Sequence, residues 1–133
     1  MVENSKEGPN PNQTSYNSQP SRVNGFYYDH SRAASACPTP WQLPSFTEAT
    51  DLLTWIRSNK NSKAASWWRT NEFNAFAGSA NAGIFSNWSE GGYWWLRDTG
   101  PNQAPWALTF YSTSEDLDVW DANAWKSVRC IKN

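Results

Sequence analysis

The stretch "GGYWWLRDTGPNQAPW", residues 91–106, decides how the chain is read. A strand with one buried face needs an apolar side chain only at every second position. Here Tyr93, Trp94, Trp95 and Leu96 supply both faces before Arg97 and Asp98, and a Gly-Pro-Asn turn then leads to Trp106. Alternation puts Tyr93 and Trp95 on one face and Trp94 and Leu96 on the other. One pair is expected in the core, and the other face is expected to stand exposed.

The chain has 133 residues, enough for one domain with a real core, a net charge of −1 and a mean hydropathy of −0.77. Ten Trp against few Leu, Ile and Val mean that the core is built from a small number of large rings. Lysine and arginine are scattered, so no basic stripe is available to neutralise a phosphate backbone, and nucleic acid is not expected as a partner. No apolar run is long enough to span a membrane, and no secretory leader pattern opens the chain. Residues 1–22, with "ENSKEGPNPNQTSYNSQPS", have the composition of a flexible linker, and residues 23–133 are expected to form the domain. Cys37 and Cys130 are too far apart for a CxxC motif. Paired, they would close a loop of roughly ninety residues; two buried free thiols are the other reading.

Ser45-Phe46-Thr47-Glu48 is a capping-box pattern, and Phe46, Ala49, Leu52, Leu53 and Ile56 follow at helical spacing, which predicts an amphipathic helix over 46–59. "GFYYDH" (25–30) reads as a short strand, and "ACPTPWQLPS" with its three prolines as extended chain. Residues 61–92, rich in Asn, Ser, Ala and Gly, read as irregular. Strands are expected at Tyr93–Arg97, Trp106–Ser112, Asp118–Trp120 and Lys126–Ile131, with Val128 and Cys130 opposite Arg129. One helix and a run of strands separated by turns is an α+β pattern with an antiparallel sheet.

Three segments together resemble a known group. "ACPTPWQLPSFTEATDLL", "EFNAFAGSANAGIFSNWSEGGYWW" and "SEDLDVWDANAWKSVRCIKN" are similar, in matching order, to the opening, middle and closing segments of the Fibrobacter succinogenes major paralogous domain family of Bacteroidetes surface proteins. The Cys37-to-Pro44 block and Ser127-Val128-Arg129-Cys130 are the most specific parts. The resemblance implies a C-type lectin-like fold in which the first and last strands pair, and that would bring Cys37 and Cys130 within bonding range. The chain departs from the pattern at Leu96-Arg97-Asp98 and at Trp125-Lys126. Both departures fall in the half that builds the ligand-facing loops of the related fold, a region that diversity-generating retroelements rewrite in some relatives.

These observations lead to a non-enzymatic binding or adhesion module, secreted or at the cell surface and part of a larger surface protein. Its expected partners are a glycan or a host or bacterial surface protein. The ligand-binding residues are expected to be Trp95, Arg97, Asp98, Trp106, Asp118, Trp120, Asp121 and Trp125, since Trp and Arg give stiff contact area with directed hydrogen bonds. The competing reading has every ring in the core and Arg97-Asp98 as a solvated turn, in a domain that caps a longer assembly. Glu115, Asp116, Asp118, Asp121 and Asn123 crowd oxygen ligands together, but no calcium-loop spacing is present, so neither a metal nor another cofactor is expected. A formylglycine-generating-type enzyme, the catalytic alternative, would need a second reactive thiol beside Cys130. His30 has no evident nucleophile paired with it.

Overall fold

The computed structural model describes residues 26–60, 79–81, 84–86, 91–111 and 114–132. The expected linker, and most of the stretch read as irregular, lie outside the described residues.

The quoted stretch forms the longest strand, β4 (Gly91–Thr99). It pairs antiparallel with β5 (Pro105–Tyr111), which pairs antiparallel with β6 (Ser114–Val119), giving the order β4-β5-β6. Register places Trp94 opposite Leu108 and Trp95 opposite Ala107. The faces alternate as expected, but neither stands exposed: Tyr93, Trp94, Trp95 and Leu96 are all buried. The expectation of one open face is therefore corrected, because a different layer covers each side.

The first layer is helix α2 (Phe46–Lys60). Its start is the expected capping box. Ser45 Oγ accepts from Glu48 N at 3.0 Å, and a Glu48 carboxylate oxygen accepts from Ser45 N at 3.1 Å. Ala49, Leu53 and Ile56 then fall on one stripe and pack with Trp94, Leu96, Leu108 and Phe110. Arg57 reaches from the helix to Glu115 on β6 at 2.7 Å.

The second layer comes from two segments far apart in sequence, around residues 26–43 and 120–130. Tyr28, Ala33, Ala36, Leu43, Ala124, Val128 and Cys130 pack against Trp95 and Ala107. "GFYYDH" is less of a strand than expected. Tyr28 makes an isolated bridge with Lys126, and Asp29 then caps the short helix α1 (His30–Ala33), its side chain accepting from Arg32 N. A capping carboxylate ends the extended run there. The expected strand Lys126–Ile131 is also broken up. Ser127 bridges β4 in parallel at Trp94, and only Ile131–Lys132 pairs as β7, against β1 (Trp41–Gln42). Val128 and Cys130 do join one cluster, while Arg129 lies over Trp94 on the other side of the sheet. A small hairpin, β2 (Ser79–Asn81) with β3 (Ile84–Ser86), completes the described elements of this α+β fold.

Cys37 and Cys130 form a disulfide across 93 residues of sequence, with their Cα atoms 5.7 Å apart, beside the β1–β7 pair. The segments around Cys37–Gln42 and Cys130–Lys132 are thus tied at one place.

The glycines of "GGYWW" are required by the rings that follow. A Cβ on Gly92 would lie 2.2 Å from the Trp94 indole, which folds back over the strand. We predict that Gly92→Ala destabilises the domain by about 1–3 kcal/mol through overpacking, read from the urea midpoint. Replacing both cysteines by serine should remove about 4–5 kcal/mol by releasing the unfolded chain, and an unchanged midpoint would refute the constraint.

Candidate functional site

Arg97 and Asp98 lie within the register irregularity of β4 between Trp95 and Thr99. Both side chains meet the start of α2. Arg97 Nη2 meets Glu48 at 2.9 Å, Nη1 donates to Leu43 O at 3.1 Å, and Arg97 N donates to Pro44 O at 2.9 Å. Asp98 accepts a short hydrogen bond from Phe46 N. Phe46 is the first residue of the helix, so its amide has no partner within the helix. A carboxylate at that position also sits favourably at the positive end of the helix dipole. The Arg97–Glu48 pair is about one-third exposed on each side and contributes no more than about 1 kcal/mol. Its value is geometric. Together with Asp98 it fixes where α2 meets the sheet.

The end of the sheet beyond this anchor is more open. Gly100 to Ala104 connect β4 and β5, closed by Gly100 N to Ala104 O at 2.7 Å. Asn102 and Gln103, both exposed, have positive φ values of 57° and 60°. Such angles are uncommon for residues other than glycine, and Asn tolerates them best. Trp106 lies opposite Val119, and a Cβ on Gly100 would strike both side chains. The Trp106 ring is half-buried and packs on Phe46 at 4.8 Å between centroids. Val119 is 39% exposed. Trp120 N donates to Pro105 O at 3.0 Å, which carries the chain around the same end of the sheet.

Register puts Trp106 and Val119 on the α2 face, and Asp116 and Asp118 on the opposite one. Asp116 and Asp118 are exposed. Burial, and then the neighbouring Asp116, push the Asp118 carboxyl above its usual range. Asp121, also exposed, accepts from Asn123 N and shapes its own turn. Trp120 is half-buried, its ring edge-on to Tyr93 at 5.6 Å. Beneath it lies Lys126, fully buried, with its amine 3.6 Å from the Trp120 centroid. Burial lowers the Lys126 pKa to about 7. His30 opens α1, with Nε2 at 2.9 Å from Leu96 O and its ring edge-on to Trp95.

The expected binding residues therefore separate. Trp95 is fully buried and donates Nε1–H to Tyr28 O at 2.7 Å, so it cannot face a ligand; covering both faces of β4 is the reason. Arg97 and Asp98 reach solvent in part but are engaged with α2. Trp106, Asp118, Trp120 and Asp121 gather around one end of the sheet, on its two faces. Trp125 is half-buried in the segment leading to Lys126. Sequence reasoning missed Val119, Asn102 and Gln103, which carry no distinctive pattern, and Lys126, whose signal was a cation beside Trp125 in a strand-like run. Among the described residues no three His, Cys, Asp or Glu side chains group closely enough to hold a metal ion, and no helix is long and apolar enough to cross a membrane. No family model, curated protein or solved structure matches the chain.

Asp98→Ala should lower stability by about 1–2 kcal/mol, since it strips a helix-start amide of its partner; a melting temperature equal to wild type would show the bond to be idle. Lys126 predicts a pH dependence of fixed sign. Between pH 7 and 10.5 the unfolded chain holds a proton on this amine that the folded chain does not. Stability contributed by this group therefore rises with pH across that window. Lys126→Met should flatten the rise in denaturant midpoints, and an equal slope in the two proteins would refute the assignment.

Proposed function

We propose that the chain is a non-enzymatic binding or adhesion module of a secreted or surface-exposed protein, with a C-type lectin-like architecture and kinship to the Fibrobacter succinogenes major paralogous domain family. Its ligand, a glycan or a surface protein, is taken at the end of the sheet where the β4–β5 turn meets the segment after β6. The observation that carries this reading is the grouping there of two partly exposed tryptophans, Trp106 and Trp120, with exposed Val119, Asn102, Gln103, Asp118 and Asp121. Aromatic surface suits the apolar face of a sugar or a protein side chain, while amides and carboxylates direct its polar groups.

The joined β1 and β7 segments and the helix directly after β1 agree with the proposed architecture. A disulfide fits an oxidising compartment. Both cysteines of the chain are in that bond, which leaves no thiol for the copper-cysteine chemistry of the catalytic alternative. One observation favours the structural-cap reading: among the described tryptophans, only Trp55 reaches half exposure.

The test is binding of the full chain to an array of glycans and surface proteins, with and without EDTA. The variant to compare is Asn102→Gly/Gln103→Gly/Asp118→Asn, since glycine accepts the positive φ without strain. Arg97 is left alone because it holds α2. We expect at least a ten-fold loss of affinity with an unchanged melting temperature, consistent with removal of about 1.4 kcal/mol or more of binding. Undiminished binding by the variant would place the ligand elsewhere. No binding at all, with a fluorescence quencher failing to reach the tryptophans, would favour the structural cap.

A further inference from the structure

The face of β4 turned away from α2 contains an ionisable group with no hydrogen-bond partner. Lys126 is fully buried and its Nζ has none. The amine instead sits in a box of rings, 3.6 Å from the centroid of Trp120, 4.9 Å from Tyr93 and 5.2 Å from Trp95. Two of these walls are fixed. Tyr93 and Trp95 are buried within β4, and the Lys126 backbone is held by reciprocal 2.9 Å bonds with Tyr28.

The third wall is different. Trp120 is partly exposed, and its Nε1 is also buried without a partner. From Trp120 to Ala124 the chain is a turn, held by Trp120 N to Pro105 O, His30 N to Ala122 O, and the bonds of Asp121 to Asn123 N and Ala124 N. Such a segment opens at lower cost than a paired strand.

Among the described residues the charged and titratable surroundings supply no counter-ion. β6 contributes Asp116 and Asp118 to this face, the segment after it Asp121, β4 the Tyr93 phenol, the 26–28 segment the Tyr28 phenol, and α1 His30, which touches Trp95. None accepts a hydrogen bond from Lys126 Nζ. Cation–π attraction offsets only part of the hydration that three ammonium N–H donors lose on burial.

We propose that Lys126 is a protonation-dependent latch on the Trp120–Trp125 segment: the neutral amine lets Trp120 close over the ring box, and the ammonium leaves for water and takes the segment open. No bond is made or broken beyond the proton taken from solvent. Burial alone brings the amine to about pH 7, so mild acidification drives the change. Trp120 belongs to the surface proposed to bind ligand, so acid would remodel that surface. Only this consequence rests on the binding proposal; the latch itself is read without ligand.

The experiment is backbone hydrogen exchange of residues 120–125, followed by NMR on the full chain between about pH 8.5 and about pH 5.5 and corrected for intrinsic exchange rates. Protection in the wild type should fall about ten-fold per pH unit as the pH drops toward the midpoint, the slope of one proton, and level off below it. Lys126→Met should abolish this dependence. His30→Gln should keep it, which separates the latch from the imidazole that touches Trp95. In the wild type itself, the Lys126 Cε resonance should titrate with the same midpoint, so the result does not depend on the folding of any variant. Protection that does not change with pH, a loss that persists in Lys126→Met, or a Cε midpoint that differs from it would each overturn the proposal.

Discussion

Filling both faces of β4 with aromatic rings is the constraint on which the rest of the structure depends. A buried ring removes some 150–250 Å² from water, about 5 kcal/mol each as an upper bound. No surface ion pair among the described residues competes with that, since such pairs contribute at most about 1 kcal/mol. With Trp94 and Leu96 on one side and Tyr93 and Trp95 on the other, the strand needs two covers. α2 supplies the first. Among the described residues the second is assembled from the segments around Tyr28–Leu43 and Ala124–Cys130. The disulfide and the β1–β7 pair keep those segments in place.

This arrangement changes the meaning of the polar residues at the end of β4. Arg97 and Asp98 emerge where the strand leaves the core, which in an isolated strand would make them a recognition pair. In the folded chain they meet the start of α2, where amides have no acceptor within the helix. The helix has to be seated accurately for Ala49, Leu53 and Ile56 to reach Trp94, and a directed hydrogen bond from the strand does this better than apolar contact. The surface proposed to bind ligand is then left to the next stretch of chain. There the turn at Asn102 and Gln103 and the segment after β6 are free of the helix.

What could be read from sequence follows the range of the interactions involved. α2 was legible because its capping box and its stripe lie within one segment; Ser45 and Glu48 are three residues apart. The three-stranded sheet was legible from alternation in β4 and β5. The second cover of β4 was not, because nothing local in Tyr28 or Ser127 says that β4 will lie beside it. "GFYYDH" looked extended until Asp29 acted as a helix cap, a competition between strand propensity and a local hydrogen bond. The role of Asp98 was hidden for the same reason as the second cover: its partner amide is 52 residues away. Of the candidate surface, Trp106, Asp118, Trp120 and Asp121 were legible as residue types suited to contact, but the faces they occupy depend on register.

Two cations buried in the same short stretch show how the sheet handles charge. Arg129 and Lys126 are both about as buried as the core rings, on opposite sides of β4. A guanidinium stays charged at any pH a protein meets, so it can be buried only where partners are provided, and Arg129 has them. An amine has another route, which is to release its proton, and Lys126 lies where no partner is provided. An apolar side chain of similar length would fill the ring box without that liability. What distinguishes lysine from such a substitute is that its fit changes with protonation, and the wall it presses on is the partly exposed Trp120.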